Sequence, residues 1–330
     1  MLSIKKYNKS MREEWDLFVI KSNNGTIFNT RNFLNYHINR KFNDCSLCFY
    51  NNKDLICVLP AAIDSGDKKI ISHPGASYGG LIINIEVKFF ILNEIITLLT
   101  NYCKRNNINS IFLINSPSIY WTGYDASLEY LLEFNNFYSK EVYISHASKL
   151  NQNKPIINYL DKRKRRYIKN FINNDEFNII EHSSFIDRYG KDFYNVLYLN
   201  KQKYAVKPTH SSDELMKLKN IFPKQIKLFL SLKNNCVVGG AVLFITNNNT
   251  SLVFYNAVEE SMRQSQLAAY QLYYCAQISE KQGMKFIDFG VSQEPENSNP
   301  LTPKISLISF KEQFNSLGVW RRAYQKDFDV

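Results

Sequence analysis

Four side chains in this sequence have the type and setting to move a proton. His73 stands in the segment 72–80 among Pro74, Gly75, Gly79 and Gly80, a composition that lets backbone come close to a ligand. A histidine there serves either as acid or base or as a structural hydrogen-bonder. Asp288 interrupts the apolar run 286–289, and a carboxylate in a buried strand needs a partner or a task. Pairing with Lys311 and a role toward a ligand are both open. Glu294 lies just past that run, and Tyr255 lies inside the apolar run 251–258. Either is a general acid or base, or else an ordinary surface or core residue.

The cysteines offer less. Cys45 and Cys48 form a CxxC, but Leu47, Phe49 and Tyr50 read as a strand, where residues three apart face opposite sides. No second Cys/His pair follows at zinc-site spacing, so no metal site is expected. The remaining cysteines, Cys57, Cys103, Cys236 and Cys275, sit mostly in apolar runs, and no disulfide is expected.

Positive charge is the second chemical signal. The chain carries 41 Lys and Arg against 30 Asp and Glu, a formal net charge of +11. Residues 1–150 hold 16 basic and 13 acidic side chains, and residues 151–330 hold 25 and 17. Much of the excess falls in residues 154–170, with seven cations and one acid around Lys162-Arg163-Lys164-Arg165-Arg166. Such a run is a solvated face or a joint between domains, or it attracts a phosphorylated ligand, a diphosphate or an RNA backbone. Two loops, Trp121-Thr122-Gly123-Tyr124 and Lys207-Pro208-Thr209-His210, combine hydroxyls, aromatics and a cation, and fit either a bound base, sugar or phosphate or an ordinary turn.

The elements that must position these groups occur twice. Apolar β-type runs at 46–50 and 55–59, with a turn between them, correspond to runs at 227–232 and 236–245. A helical period over 90–105 leads into a strand at 110–114, and one over 266–282, stopped by Gly283, leads into a strand at 285–291. This predicts a duplicated α/β domain of mixed sheets with helices on their faces: a hairpin, a strand, a crossover helix and another strand. The polar, non-periodic segment 146–155 marks a boundary, giving domains 1–150 and 151–330.

Length and composition agree with two globular domains. At ~150 residues each, two domains fit 330 residues, and 45 % apolar with 22 % charged residues excludes disordered and collagen-like classes. The 21 Tyr and 23 Phe favour sheets and aromatic-lined clefts. The longest apolar candidate for a membrane span, 89–100, is short and broken by Asn93 and Glu94. The three lysines in 1–9 are followed by no apolar core of a secretory signal, so a cytoplasmic location is expected.

The second copy resembles the acyl-CoA-binding half of the GNAT superfamily. In the pattern Gln/Arg-x-x-Gly-x-Gly/Ala, Arg263 and Ala268 supply the first and last positions, while Gln266 replaces the glycine. The order of Ser72-His73-Pro74-Gly75-Ala76-Ser77-Tyr78-Gly79-Gly80, Asp288-Phe289-Gly290-Val291-Ser292-Gln293-Glu294 and Phe310-Lys311-Glu312-Gln313-Phe314 resembles the tandem-GNAT, Fem-type transferases over nearly the whole chain. That group comprises acyl-CoA-dependent enzymes acting on nucleotide-linked amino sugars and aminoacyl-tRNA-dependent peptidyltransferases of cell-wall synthesis.

The resemblance implies two tandem GNAT-like domains, with the acyl-CoA site in the second. Its helix N-terminus, formed by Arg263, Gln264, Ser265, Gln266, Leu267 and Ala268, is a ready site for a pyrophosphate. Backbone N–H groups near Asn256, Ala257 and Val258 would hold the thioester carbonyl if the flanking strands splay apart. His73, Tyr255, Asp288 and Glu294 are the catalytic candidates. Ser77, Tyr78, Trp121, Arg163, Arg166, Lys207 and Lys311 are the substrate-binding candidates.

The first expectation is therefore an N-acyltransferase carrying acetyl or a short hydroxyacyl such as 3-hydroxybutanoyl from coenzyme A to a dTDP- or UDP-linked amino sugar, in surface polysaccharide biosynthesis. The alternatives are an aminoacyl-tRNA-dependent peptidyltransferase and a non-catalytic protein that binds nucleic acid or a partner.

Overall fold

The computed structural model describes residues 1–151, 153–203, 205–294 and 296–328, in two compact units. In the first, strand β1 (Leu2–Lys6) precedes helices α1 (Arg12–Lys21) and α2 (Arg31–Leu34). Strands β2 (Leu47–Asn51) and β3 (Asp54–Leu59) form the expected hairpin, turning through Asn52 at φ 55°. There follow β4 (Ala62–Asp64), β5 (Lys69–Ser72), β6 (Ile82–Ile83), α3 (Phe89–Arg105), β7 (Ser110–Ile114), α4 (Ser127–Phe134) and β8 (Tyr138–Lys149).

One sheet of this unit has the order β1-β2-β3-β6. In a second, β5 lies between β4 and β7 and runs parallel to β7, with α3 as the crossover. Helix α3 buries Leu92, Ile95, Ile96, Leu99 and Cys103, the apolar stripe that its 3.6-residue period puts on one face.

The first helix of the second unit is α5 (Lys162–Ile172), started by Asp161, whose carboxylate accepts from the N–H groups of Arg163 and Lys164. Then come β9 (Phe177–His182), α6 (Arg188–Gln202), α7 (Ser212–Ile221), β10 (Ile226–Lys233), β11 (Cys236–Ile245), β12 (Thr250–Val258), α8 (Leu267–Lys281), β13 (Phe286–Val291), α9 (Ile305–Glu312) and β14 (Ser316–Asp327). Its sheet runs β8-β13-β12-β11-β10-β9, and β12 and β13 are the parallel pair, crossed by α8. Buried residues Ala269, Leu272, Cys275 and Ala276 of α8 pack on Phe229, Ala241, Leu243 and Val253 of the sheet. Gly240 lets α6 lie close: a Cβ there would stand 2.7 Å from the Phe193 ring and 2.5 Å from the Phe229 carbonyl oxygen.

The architecture is thus mixed α/β, with hairpin, strand, helix and strand in each unit: β2-β3 with β5-α3-β7, and β10-β11 with β12-α8-β13. The division of the chain differs from the expected 1–150 and 151–330. The first unit comprises Met1–Tyr143 and the chain from Trp320 onward, and the second is Ile144–Val319. The reason is pairing. Ala323–Asp327 of β14 lie antiparallel on β7, which draws the last strand into the first unit, and residues 144–149 continue β8 instead of forming a linker.

Candidate active site

The parallel pairing of β12 with β13 covers three rungs, Thr250 to Phe286, Ser251 to Ile287 and Leu252 to Asp288. Beyond them β12 continues to Val258, and among the described residues no strand pairs with that edge of it. Alternate residues of an extended strand direct their backbone N–H and C=O to such an edge, so the opening presents donors in a row. The chain leaves β12 through a 3-10 turn, Glu260–Ser265, and enters α8.

Gln266 makes that entry in the left-handed conformation, at φ 70° and ψ 17°. It therefore preserves the backbone bend for which glycine is best suited. Its side chain is accounted for: Lys164 of α5 donates to Gln266 Oε1. Lys164 is 4 % exposed, lies over the Phe310 ring, and is held below the usual lysine range by burial. Ser265 Oγ accepts from Leu267 N–H (3.2 Å), and Asn256 of β12 donates to the Ala268 carbonyl (3.1 Å). Asp161, Arg163, Lys164, Tyr167, Gln266, Phe310 and Gln313 line a cavity of about 310 Å³ at this helix tip. Two cations beside a helix N-terminus suit a diphosphate, and the retained backbone bend means that Gln266 does not destroy the fit.

Asn256, Ser265, Gln266, Leu267 and Ala268 thus come together at one helix tip, Asn256 through its bond to the Ala268 carbonyl. Arg263 points elsewhere: it is exposed, pairs with Glu260 (3.3 Å), and lines a larger cavity of about 720 Å³ with Asn195, Leu199, Asn200 and Lys203. Asn200 donates to the Val258 carbonyl (2.7 Å), and Gln271 of α8 reaches the Ala257 carbonyl (3.4 Å). Gln264 lies in the 3-10 turn.

The acid–base candidates are dispersed. Asp288 is fully buried on the last paired rung and accepts from Gly290 N–H (2.7 Å). Lys311 of α9, 4 % exposed, donates to the carbonyls of Gly290 (2.7 Å) and Val291 (2.9 Å) and to Ser292 Oγ (2.9 Å). Burial brings its ammonium down to about 8, and the Asp288 charge opposes that fall. Glu294 forms an ion pair with Lys304 (3.4 Å) past the end of β13.

Tyr255 turns to the face of β12 opposite Asn256, where its hydroxyl meets His210 Nδ1 (3.0 Å), and burial pushes it up to about 12. His73 belongs to the first unit. Its Nδ1 accepts from Gly75 N–H (3.1 Å), its ring meets Phe42, and burial brings it down to about 4.

The acceptor candidates also divide by unit. In the first, the Ser77 carbonyl accepts from Arg321 (3.0 Å), Tyr78 packs against Phe28 and Tyr120, and Trp121 donates to the Ser116 carbonyl (3.2 Å). In the second, Arg163 and Arg166 lie exposed over the Tyr167 ring, and Lys207 is exposed between α6 and α7.

Sequence reasoning missed Lys164, His146 and Ser292. The signal for Lys164 was present: Lys164, Ile168 and Phe171 share one helical face, and all three are buried. His146 lies on β8 and bonds Ser292 Oγ through Nδ1 (2.8 Å), within a stretch whose polarity had suggested a linker.

No protein-family model matches this chain, and no curated protein matches it. Solved structures do match. FemX superposes with a TM-score of 0.71 at 11 % identity, over 99 % of this chain and 97 % of that one. A tandem GNAT protein from the clavulanic acid biosynthesis pathway gives 0.58 at 7 % identity, over 99 % and 98 %. L-PGS from Bacillus licheniformis gives 0.55 at 10 % identity, over 97 % and 92 %. The fold is therefore the tandem GNAT, Fem-like one along the whole chain. At these identities the likeness extends to the fold alone.

Proposed function

We propose that this protein is an N-acyltransferase that binds an acyl-CoA in its second unit and transfers the acyl group to the amine of a nucleotide-linked amino sugar. One observation carries the reading: the pairing of β12 with β13 ends after three rungs, and the cavity at the start of the helix that follows β12 is lined by Lys164 and Arg163. An acyl donor with a diphosphate needs both features, a row of donors for its carbonyl and a cationic helix start for its phosphates.

In this reading the edge N–H groups of β12 hold the thioester oxygen as it gains charge. The amine nitrogen bonds to the carbonyl carbon, the carbon–sulfur bond breaks, and the amine's surplus proton passes to the departing thiolate, so that an amide and the free thiol of coenzyme A result. Asp288, buried at the last rung, holds the end of β13 through the Gly290 N–H, and the Lys311 charge opposes that of Asp288. Acetyl and short hydroxyacyl chains such as 3-hydroxybutanoyl are the proposed cargo, and dTDP- and UDP-linked amino sugars the acceptors, as surface polysaccharide biosynthesis requires.

A second reading, an aminoacyl-tRNA donor, is favoured by a specific observation. Gln266 stands where a glycine would allow the closest diphosphate approach, while the solvent side of α5 carries Lys162, Arg163 and Arg166. A thermal-shift series separates the two. Acetyl-CoA and its relatives at ~1 mM are expected to raise the melting point, and no response to any CoA thioester overturns the first reading. RNA binding that weakens steeply between roughly 50 and 200 mM salt would support the second.

A further inference from the structure

Ser292 directly follows β13, and its buried hydroxyl stands between two titratable side chains. On one side is Lys311 Nζ at 2.9 Å, on the other His146 Nδ1 at 2.8 Å. A lysine ammonium has three hydrogens and no lone pair. Here each hydrogen has its acceptor: the Gly290 carbonyl, the Val291 carbonyl and Ser292 Oγ.

Ser292 Oγ therefore receives a hydrogen from Lys311 and still has its own to give. Left buried without an acceptor, that hydrogen would cost about 1–3 kcal/mol. His146 Nδ1 takes it. This fixes the direction of the whole line, because Nδ1 must then carry a lone pair and the ring hydrogen must sit on Nε2.

We propose that His146 is a positioning residue for the Lys311 ammonium, acting through the Ser292 hydroxyl. The neutral ring turns the lone pairs of Oγ toward α9. Lys311 is thereby held as a cation against the end of β13, where that strand has already left β12. Protonating the ring reverses the line: Nδ1–H now donates to Oγ, the serine hydrogen loses its acceptor, and a second positive charge faces Lys311.

The surrounding charges favour the first arrangement. Burial and the Lys311 charge both press His146 toward its neutral form, and Glu312 of α9 opposes them. Lys311 faces Asp288 of β13, which favours its charged form against burial. The catalytic consequence, a fixed positive charge beside the donor carbonyl, rests on the acyltransferase reading. The direction of the line does not.

The test is NMR on the full chain without ligand. Long-range proton–nitrogen spectra of the histidines are expected to show His146 at neutral pH with its hydrogen on Nε2. A titration followed at Lys311 Cε and Nζ gives the ammonium midpoint. His146→Phe frees the Ser292 hydroxyl to donate to a neutral amine, so the midpoint should fall by about half a unit or more. His146→Asn, whose Oδ1 can replace Nδ1 as acceptor, should restore it. Ser292→Ala should lower the midpoint too, and make a further change at position 146 silent.

If His146→Phe does not fold, Ser292→Ala with and without His146→Asn gives the same decision. A hydrogen on Nδ1 at neutral pH overturns the proposal, as does a midpoint that ignores these substitutions. Because the tube contains no donor or acceptor, that failure leaves the acyltransferase reading intact. Conversely, CoA thioesters that fail to bind leave the His146–Ser292–Lys311 line intact.

Discussion

Lys164 and Gln266 hold each other at the start of α8: the lysine ammonium, the buried member of the basic run, donates to the side-chain oxygen of the one residue that bends left-handed into the helix. Each partner thereby relieves a cost of the other. A left-handed non-glycine residue costs roughly 1–2 kcal/mol, and a buried ammonium deprived of an acceptor costs about 1–3.

Gln266→Gly removes the backbone strain and the acceptor together, so it is expected to leave stability unchanged or lowered by about 1 kcal/mol. Adding Lys164→Met should recover that loss. Melting curves of the two single variants and the double variant give the coupling, and strict additivity would contradict the pairing. On the acyl-CoA reading, Gln266→Gly should also tighten acetyl-CoA binding, measured by calorimetry.

Lys311→Met leaves the Gly290 and Val291 carbonyls and Ser292 Oγ without their donor and removes the charge that opposes buried Asp288, with an expected loss of about 1–3 kcal/mol. Asp288→Asn in the same chain should return part of it. Denaturant titration of the three variants checks this; equal midpoints for the single and double variants would show that the two charges do not compensate each other.

His73 gives a pH signature. Its pKa is about 4 in the folded chain and about 6.5 in an unfolded one, so the unfolded form binds more protons between those values. The stability it contributes is complete above pH 6.5 and is lost as the pH falls toward 4. Urea midpoints of the parent and of His73→Gln at pH 7, 5.5 and 4 should converge at the acid end. Parallel curves would place the titration elsewhere.

Arg163 and Arg166 are exposed and make their described contacts with Tyr167, so replacing both by alanine should leave the melting point within about a degree. If RNA lies on α5, the pair of substitutions should reduce the slope of log affinity against log salt by about 2, as read by filter binding.

The repeat was legible because hairpins and amphipathic crossover helices leave local marks. The turn after Asn51, the stripe of α3 and Gly283 after α8 are readable one segment at a time. The early end of the β12–β13 pairing could only be stated as a condition, since register belongs to two strands together. The polarity of His146 and Ser148 suggested a boundary, yet these residues extend a strand whose small hydroxyls are buried: Ser148 Oγ donates to the Phe314 carbonyl (2.7 Å). Tyr255 and Asn256 show the finer limit. Adjacent in sequence, they serve opposite faces of β12, and only the structure reveals that the tyrosine is committed to His210.

The return of β14 to the first unit has a consequence for the order of events at the ribosome. Everything unit 2 needs for its β9–β13 sheet and α8 emerges while β7 still lacks its antiparallel neighbour. The part translated first is therefore finished last, and until residues beyond 320 arrive, its open sheet edge is the place where a nascent chain is exposed to misassociation.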